Sequence, residues 1–337
     1  MNQPDSNSRP MLRWFAKLVW PLAALAVLLL FNFGFTPGFF HLEIKSGHLY
    51  GSLVDVLKQA APVMLLSLGM TLVIATAGVD LSVGATVAIA GSAAAKLLIQ
   101  QQMALPTVVL ATLVLCVALG AWNGTLIAWL GVQPIVATLI LMVAGRGIAQ
   151  LLTGGQIITV EHRGFSFIAG GHFLVLPFPL TVVCMTLLVT VALTRWTAMG
   201  LFIESVGNNE TASRFAGVND RAVKMFAYVF CGFCAGVAGL IEASEIKAAD
   251  ANNAGLYQEL DAILAVVIGG TALNGGRFNL PGSLVGALII QTLTTTILTR
   301  GVPVEYTLVV KAIVVLAVCL MQSEELQKII LRRRAGA

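Results

Sequence analysis

A few polar side chains interrupt otherwise apolar stretches of this chain. They are Asp80 and Ser82 in AGVDLSVG, Asn123 in AWNGTL, and Arg146 and Gln150 in LMVAGRGIAQLL. An ionised group in an apolar medium costs several kcal/mol unless it is paired, so each is a candidate functional residue. Gly78 and Gly84 flank Asp80 and permit a sharp reversal of the backbone. Asp80 and Ser82 could accept hydrogen bonds from solute hydroxyls, or cap the exposed N–H groups of a following helix; the two roles are compatible. Arg146 could contact solute, extend to an interface, or pair with an acid such as Asp261. Gln150 lies one turn on, on the same face. Asn123 could bind solute or join two helices. Glu259 and Asp261, in YQELDAIL, complement the positive end of a helix dipole and could add a docking or gating role.

Enzymatic chemistry has little to stand on. The chain contains no G-x-x-x-x-G-K-[ST] loop, no H-E-x-x-H and no G-x-S-x-G. Hydrolysis of ATP at a P-loop, and zinc or serine hydrolysis, are not expected of it. Cys231 and Cys234 spell CGFC, but all five cysteines lie in apolar segments. A redox pair belongs at an exposed helix start near a βαβ unit, so these two read as small polarizable residues on one face of a spanning helix. An odd count inside helices is no disulfide framework. His41, His48, His162 and His172 match no ligand spacing, so no metal is expected.

These residues must be held by membrane-spanning helices. Apolar residues make up 58% of the 337, and charged residues only 11%; a soluble domain carries about 25% charged residues. Runs longer than 18 residues recur, enough to cross a bilayer. The fold class is all-α, a polytopic helical membrane protein of about ten transmembrane helices. The predicted spans are 18–35, 58–77, 81–99, 105–130, 134–153, 177–194, 222–243, 260–272, 281–299 and 304–321. The first is read as uncleaved, because TPGFF rather than a small-residue cleavage pattern follows it. The eighth is too short to cross alone.

Basic residues set the orientation. Arg9, Arg13 and Lys17 lie at one end and Lys328, Arg332, Arg333 and Arg334 at the other, which predicts both termini in the cytoplasm and an even number of spans. The loop after the sixth span carries Arg195, Arg214, Arg221 and Lys224 and falls inside by the same count. Segments 36–57, 154–176 and 244–259 fall outside. The organisation is then a cytoplasmic segment 1–17, a transmembrane domain 18–322 with a cytoplasmic loop at 195–221, and a basic cytoplasmic tail 323–337. GMTLVIATAGVDLSVGATVAIAG and AVVIGGTALNGGRFNLPGSLVGALI share the pattern of helix, glycine-rich break and helix. Five spans separate the second from the seventh, which predicts halves of opposite orientation, an inverted pseudo-repeat with broken helices, a transporter pattern. Glycine pairs at Gly120/Gly124, Gly232/Gly236 and Gly282/Gly286 predict close helix packing, within the chain or in a dimer.

The polar loop GLFIESVGNNETASRFAGVND is a helix in miniature. Asn208 or Asn209 can cap its start and Gly217 can close its end. Glu210 and Arg214 are spaced i, i+4, each at the dipole end that suits it. Ala212, Phe215 and Ala216 share a face. So short a helix is marginal alone. It needs something to pack against: its own loop, the membrane surface or a groove on a cytoplasmic partner.

Over roughly residues 50–322 the chain resembles the permease subunits of bacterial ATP-binding-cassette sugar importers of the ribose/galactose type. GMTLVIATAGVDLSVGA, PIVATLILMVAGRGIAQLLTGG, VGNNETASRFAGV and ELDAILAVVIGGTALNGG carry the resemblance. Within that family AADANNAGLYQELDAILAVVIGG and GGRFNLPGSLVGALIIQ are most similar to galactofuranose permeases. The resemblance implies a non-enzymatic subunit of the bacterial inner membrane that forms the pathway for a monosaccharide. It implies a second permease copy, identical or paralogous, and a periplasmic sugar-binding protein. It also implies a separate cytoplasmic ATPase that binds ATP and Mg, so that this chain needs no cofactor and no nucleic acid. Asn208, Asn209, Glu210, Ala212, Arg214, Phe215 and Gly217 match the segment that couples to the ATPase. An ion-coupled secondary sugar transporter is the alternative that broken helices and Asp80 allow.

Overall fold

Apolar runs become helices wherever neither glycine pairs nor proline interrupts them. The computed structural model describes residues 10–35, 39–41, 43–45, 48–173, 175–301, 303, 306–313 and 316. Arg9 and the basic tail 323–337 lie outside the described residues, as does Cys319. Of the tenth predicted span, residues 306–313 and 316 are described, and they are helical.

The helices are α1 (Pro10–Phe35), α2 (Ser52–Ala75), α3 (Val83–Ala95), α4 (Leu105–Ala128), α5 (Pro134–Thr153), α6 (Arg163–Gly170), α7 (Phe178–Val191), α8 (Met199–Asn208), α9 (Glu210–Phe215), α10 (Asp220–Ile246), α11 (Gln258–Ile268) and α12 (Leu280–Thr299). Wider π turns extend α3 through Lys96–Gln100 and α7 through Ala192–Trp196. Among the described residues, eight helices are long and apolar enough to cross a membrane. The eighth predicted span is not one of them: α11 has 11 residues, short of the roughly 20 a crossing needs.

The core forms around α2 and α3, which carry the highest buried fraction of the spans. From Ala60 to Ala75 every residue of α2 is buried, and it packs against α10, α12, α11 and α7. All 13 residues of α3 are buried too, because VGATVAIAGSAAA offers mostly small side chains that let neighbouring helices approach. α4, α5 and α7 instead turn Leu110, Val114, Val143, Leu151 and Leu188 outward, as lipid-facing spans do.

Glycines account for the closest crossings. Gly120 of α4 lies against the Tyr228 carbonyl of α10, and a Cβ at Gly232 of α10 would come within 2.5 Å of the Cys116 carbonyl of α4. A Cβ at Gly282 or Gly286 of α12 would overlap the carbonyls of Gly269 and Ala265. All three glycine pairs are therefore used inside the chain, which removes the dimer reading for those faces. Cys231 and Cys234 are buried against Gly69 of α2, as small packing residues.

Short two-stranded sheets gather at one end of the bundle. β1 (Glu43–Lys45) pairs with β2 (His48–Tyr50), β3 (Ile158–Thr159) with β6 (Ala248–Ala249), and β4 (His172–Phe173) with β5 (Leu176–Pro177), all antiparallel. The Tyr50 and His172 rings lie 5.6 Å apart. The three connections that charge counting assigns to one side of the membrane thus meet at one face. α8 and α9 lie at the opposite end.

Candidate functional site

Two helix breaks build the first polar cluster. Asp80 Oδ1 accepts hydrogen bonds from the Ser82 backbone N–H at 3.0 Å and from Ser82 Oγ at 2.6 Å. Asn123 Nδ2 donates to Ser82 Oγ at 2.9 Å and, more weakly, to Asp80 Oδ1 at 3.4 Å. Tyr228 Oη and Thr138 Oγ1 both donate to the Val79 carbonyl at 3.4 Å. The break between α2 and α3 exposes backbone groups that an apolar bundle must satisfy, and these side chains do it. Asp80, Ser82 and Asn123 are all buried. As packed, they hold the break, the capping role that is compatible with solute contact.

The second break, between α11 and α12, is tied in the same manner. Asn279 Nδ2 donates to the Gly269 carbonyl at 3.1 Å, and Asn279 Oδ1 accepts from Gly282 N at 3.2 Å. The breaks also touch. Gly276 N donates to the Ala75 carbonyl at 2.9 Å, and Thr71 Oγ1 donates to Ser283 Oγ at 2.7 Å. The two segments that the sequence pattern pairs therefore lie against each other.

Arg146 departs from expectation. Its Nη1 donates to the carbonyls of Ala251 at 3.2 Å and Ala254 at 2.6 Å, whereas Asp261 pairs with Lys311 at 2.9 Å. The acid partner proposed for Arg146 is thus replaced by backbone acceptors. Gln150 Nε2 donates to Asn252 Oδ1 at 2.8 Å. From the other side Glu242 accepts from Gly255 N at 3.0 Å and Gln258 Nε2 at 2.9 Å. Glu242 is absent from the sequence-predicted sites; the first of two glutamates in GLIEASEI, inside an apolar helix, is the signal that marks it.

Those bonds clamp residues 251–258. Of the segment expected outside, 244–259, Ala248 and Ala249 join the sheets at that end, and the residues after them turn back along α3. Ala243 packs at Gly91 of α3, but Gly255 packs at Gly84, about 10 Å further toward the start of that helix. The chain re-enters the bundle before α11 begins. Glu259 is buried beside Gly84, and Asp261 is held by Lys311.

At the opposite end, α9 is capped as its residues require. Asn209 Oδ1 accepts from Ala212 N at 2.9 Å; Asn208 instead ends α8. Gly217 has φ +85°, and its N–H and that of Val218 close on the carbonyls of Arg214 and Ser213, both at 3.0 Å. That pair of bonds, with a left-handed glycine, stops the helix. Arg214 reaches Glu210 at 3.2 Å and Asp220 at 2.8 Å, and Lys224 reaches Glu210 at 2.6 Å. The Asp220 hydrogen bond and charge raise the Arg214 pKa above its ordinary value. The charged face is thereby turned onto α10. Ser213 is buried, whereas Ala212 is exposed and Phe215 is 88% exposed. A cleft of about 260 Å³ at the start of α9 is lined by Thr76, Gly78, Asn208, Asn209, Lys224 and Tyr228 among others.

The sequence relationships agree with this architecture. The family described as branched-chain amino acid transport system / permease component matches residues 52–319. The galactofuranose transporter permease protein YtfT of Escherichia coli is 53% identical over 310 residues, 90% of this chain and 91% of that one. The fructose import permease protein FruF of Bifidobacterium longum is 38% identical over 320 residues, covering 93% and 90%. The ribose import permease protein RbsC of Escherichia coli is 35% identical over 308 residues, covering 90% and 93%. No solved structure matches significantly. A bundle of spans with two joined breaks, matched over nearly its whole length, leads to one conclusion: the chain belongs to the branched-chain amino acid transport system / permease component family, as a transport permease and not an enzyme.

Proposed function

We infer that this chain is the inner-membrane permease subunit of an ATP-binding-cassette importer and forms the passage for a monosaccharide, galactofuranose before other sugars. The observation that carries the reading is the 53% identity to a galactofuranose transporter permease along 90% of the chain. Both termini are assigned to the cytoplasm, with residues 18–322 as the transmembrane domain, from the distribution of basic residues.

The partners are a periplasmic sugar-binding protein, a second permease copy and a cytoplasmic ATPase that holds ATP and Mg. Coupling to the ATPase is assigned to the loop 195–221, with Asn209, Glu210, Arg214 and Gly217 shaping α9 and Phe215 meeting the partner. The support is physical: a six-residue helix cannot stand alone, one side is bonded to α10, and a large aromatic side chain is left open on the other. Arg146 and Gln150 belong to the passage through the turn they hold; Asp80, Ser82 and Asn123 keep its adjoining break closed.

Reconstitution tests the reading. Proteoliposomes holding the permease, ATPase and binding protein are expected to take up labelled galactofuranose with ATP, and ribose or fructose more slowly. Uptake by the purified chain alone, driven by an ion gradient, would sink it.

A further inference from the structure

We propose that the re-entrant turn carries a sugar-contact site formed by Asn252, Asn253 and Tyr257. The proposal rests on the transport reading above and adds to it the residues that touch the solute.

Depth is the first observation. Gly255 packs against Gly84, the second residue of a span that runs from Val83 to Gln100. About 20 Å of helix separates Gly84 from the far end of that span. With Ala243 at Gly91 and Gly255 at Gly84, the turn runs back along α3, away from the end where the sheets gather. Exposure is the second. Asn252, Asn253, Leu256 and Tyr257 are exposed, Tyr257 by 46%. Non-helical backbone with open amide side chains does not face lipid at such depth; it is tolerated where it is buried in protein or lines water. In this proposal water, rather than a second copy of the chain, lies against this open turn.

The division of labour within the turn is the third observation. Its charged neighbours are engaged: Arg146 with the carbonyls of Ala251 and Ala254, Glu242 with Gly255 and Gln258. They position the turn. Its neutral groups retain capacity. Asn252 Oδ1 accepts from Gln150, and Asn253 Nδ2 donates to Asp250 Oδ2 at 2.8 Å. No protein hydrogen bond engages Asn252 Nδ2 or Asn253 Oδ1 among the described residues. A free donor and a free acceptor on adjacent residues suit the vicinal hydroxyls of a sugar. Tyr257 holds φ +63°, a conformation rare for a bulky residue and typical of functional sites. Its ring offers an apolar face to sugar C–H groups. A neutral solute needs no counter-charge, and the free groups carry none.

The test uses the complete transporter. In nanodiscs open to reagent on both faces, with Cys184→Ser as background, Asn253→Cys is expected to react with a membrane-impermeant methanethiosulfonate, and excess galactofuranose to slow the reaction. Gln156→Cys, on an exposed turn, is the accessible control. In proteoliposomes Asn252→Leu and Asn253→Leu are expected to lower ATP-driven uptake about tenfold, the equivalent of one lost hydrogen bond or two. Hydrolysis of ATP stimulated by the binding protein should persist. If the thiol at 253 stays unmodified while that at 156 reacts, the turn does not line water and the proposal is wrong. It is equally wrong if the leucine variants transport at the wild-type rate. The labelling result stands even where a leucine variant does not fold. Absence of sugar uptake by the wild-type complex would instead overturn the transport reading itself.

Discussion

Asp220, the first residue of α10, takes two hydrogen bonds from Arg214 in the helix before it: Nε to Oδ1 at 3.0 Å and Nη2 to Oδ2 at 2.8 Å. A bidentate guanidinium–carboxylate pair fixes orientation as well as distance. Any displacement of α9 is thereby delivered to the first turn of a 27-residue helix that packs along α2, α3 and α4. Arg214→Lys keeps the charge but loses the fork, and is expected to retain folding with reduced uptake per ATP hydrolysed. Arg214→Glu sets like charges against Glu210 and Asp220 and should abolish uptake. Uptake and hydrolysis measured together in the reconstituted complex check both; wild-type coupling in Arg214→Glu would remove α9 from the mechanism.

Gly207, near the end of α8, makes a second link. A Cβ there would overlap the Ala75 carbonyl and come within 2.5 Å of Gly276 N. Those are backbone atoms of the two helix breaks, so nothing soft can yield. Gly207→Ala is expected to destabilise the permease by about 1–3 kcal/mol, the range for overpacking. It should also weaken ATP-driven uptake, since α8 leads directly into α9. Gly147→Ala is the matched control, because a Cβ at that position meets nothing within 4 Å. Thermal unfolding of the two purified variants should separate them clearly.

The spans, the cap at Asn209, the stop at Gly217 and the Glu210–Arg214 pair are all legible in sequence, because each depends on residues within a turn or two of one another. The re-entrant turn is not. AADANNAGLYQE has the polarity and length of an external connection, and only the packing of Gly255 on Gly84 reveals its depth. The partner of Arg146 is hidden for the same reason. Hydropathy points to an acid such as Asp261, but the acceptors are two backbone carbonyls, whose position depends on the fold and not on residue type. Asp220 lay in view within the polar loop, yet its pairing with Arg214 follows from how the chain turns at Gly217.

Arg146 should therefore behave as a clamp. Lysine at this position offers a single compact charge that cannot bridge the Ala251 and Ala254 carbonyls as the guanidinium does. Arg146→Lys is expected to raise amide hydrogen exchange in residues 247–257 by about tenfold, as local opening becomes easier, while exchange in α2 stays unchanged. Gln150→Leu, which removes one bond to Asn252, should have a smaller effect confined to the same stretch. Unchanged exchange in Arg146→Lys would mean that Glu242 alone holds the turn.

Asp80 separates the importer from an ion-coupled transporter. Its carboxylate accepts from Ser82 N and Oγ and from Asn123, and an asparagine can accept those bonds through Oδ1 without carrying charge. If the group only holds the break, Asp80→Asn should fold and transport with ATP much as the wild type does. Asp80→Leu leaves the Ser82 N–H and the Ser82 hydroxyl without their acceptor in a buried site, at a cost of about 1–3 kcal/mol for each orphaned group. Its thermal midpoint should fall accordingly. A carboxylate that carries an ion or a proton behaves otherwise, because asparagine keeps the shape and removes the titratable charge. A folded Asp80→Asn variant with no uptake, measured beside a wild type that responds to an ion gradient, would transfer Asp80 from the scaffold to the transport chemistry.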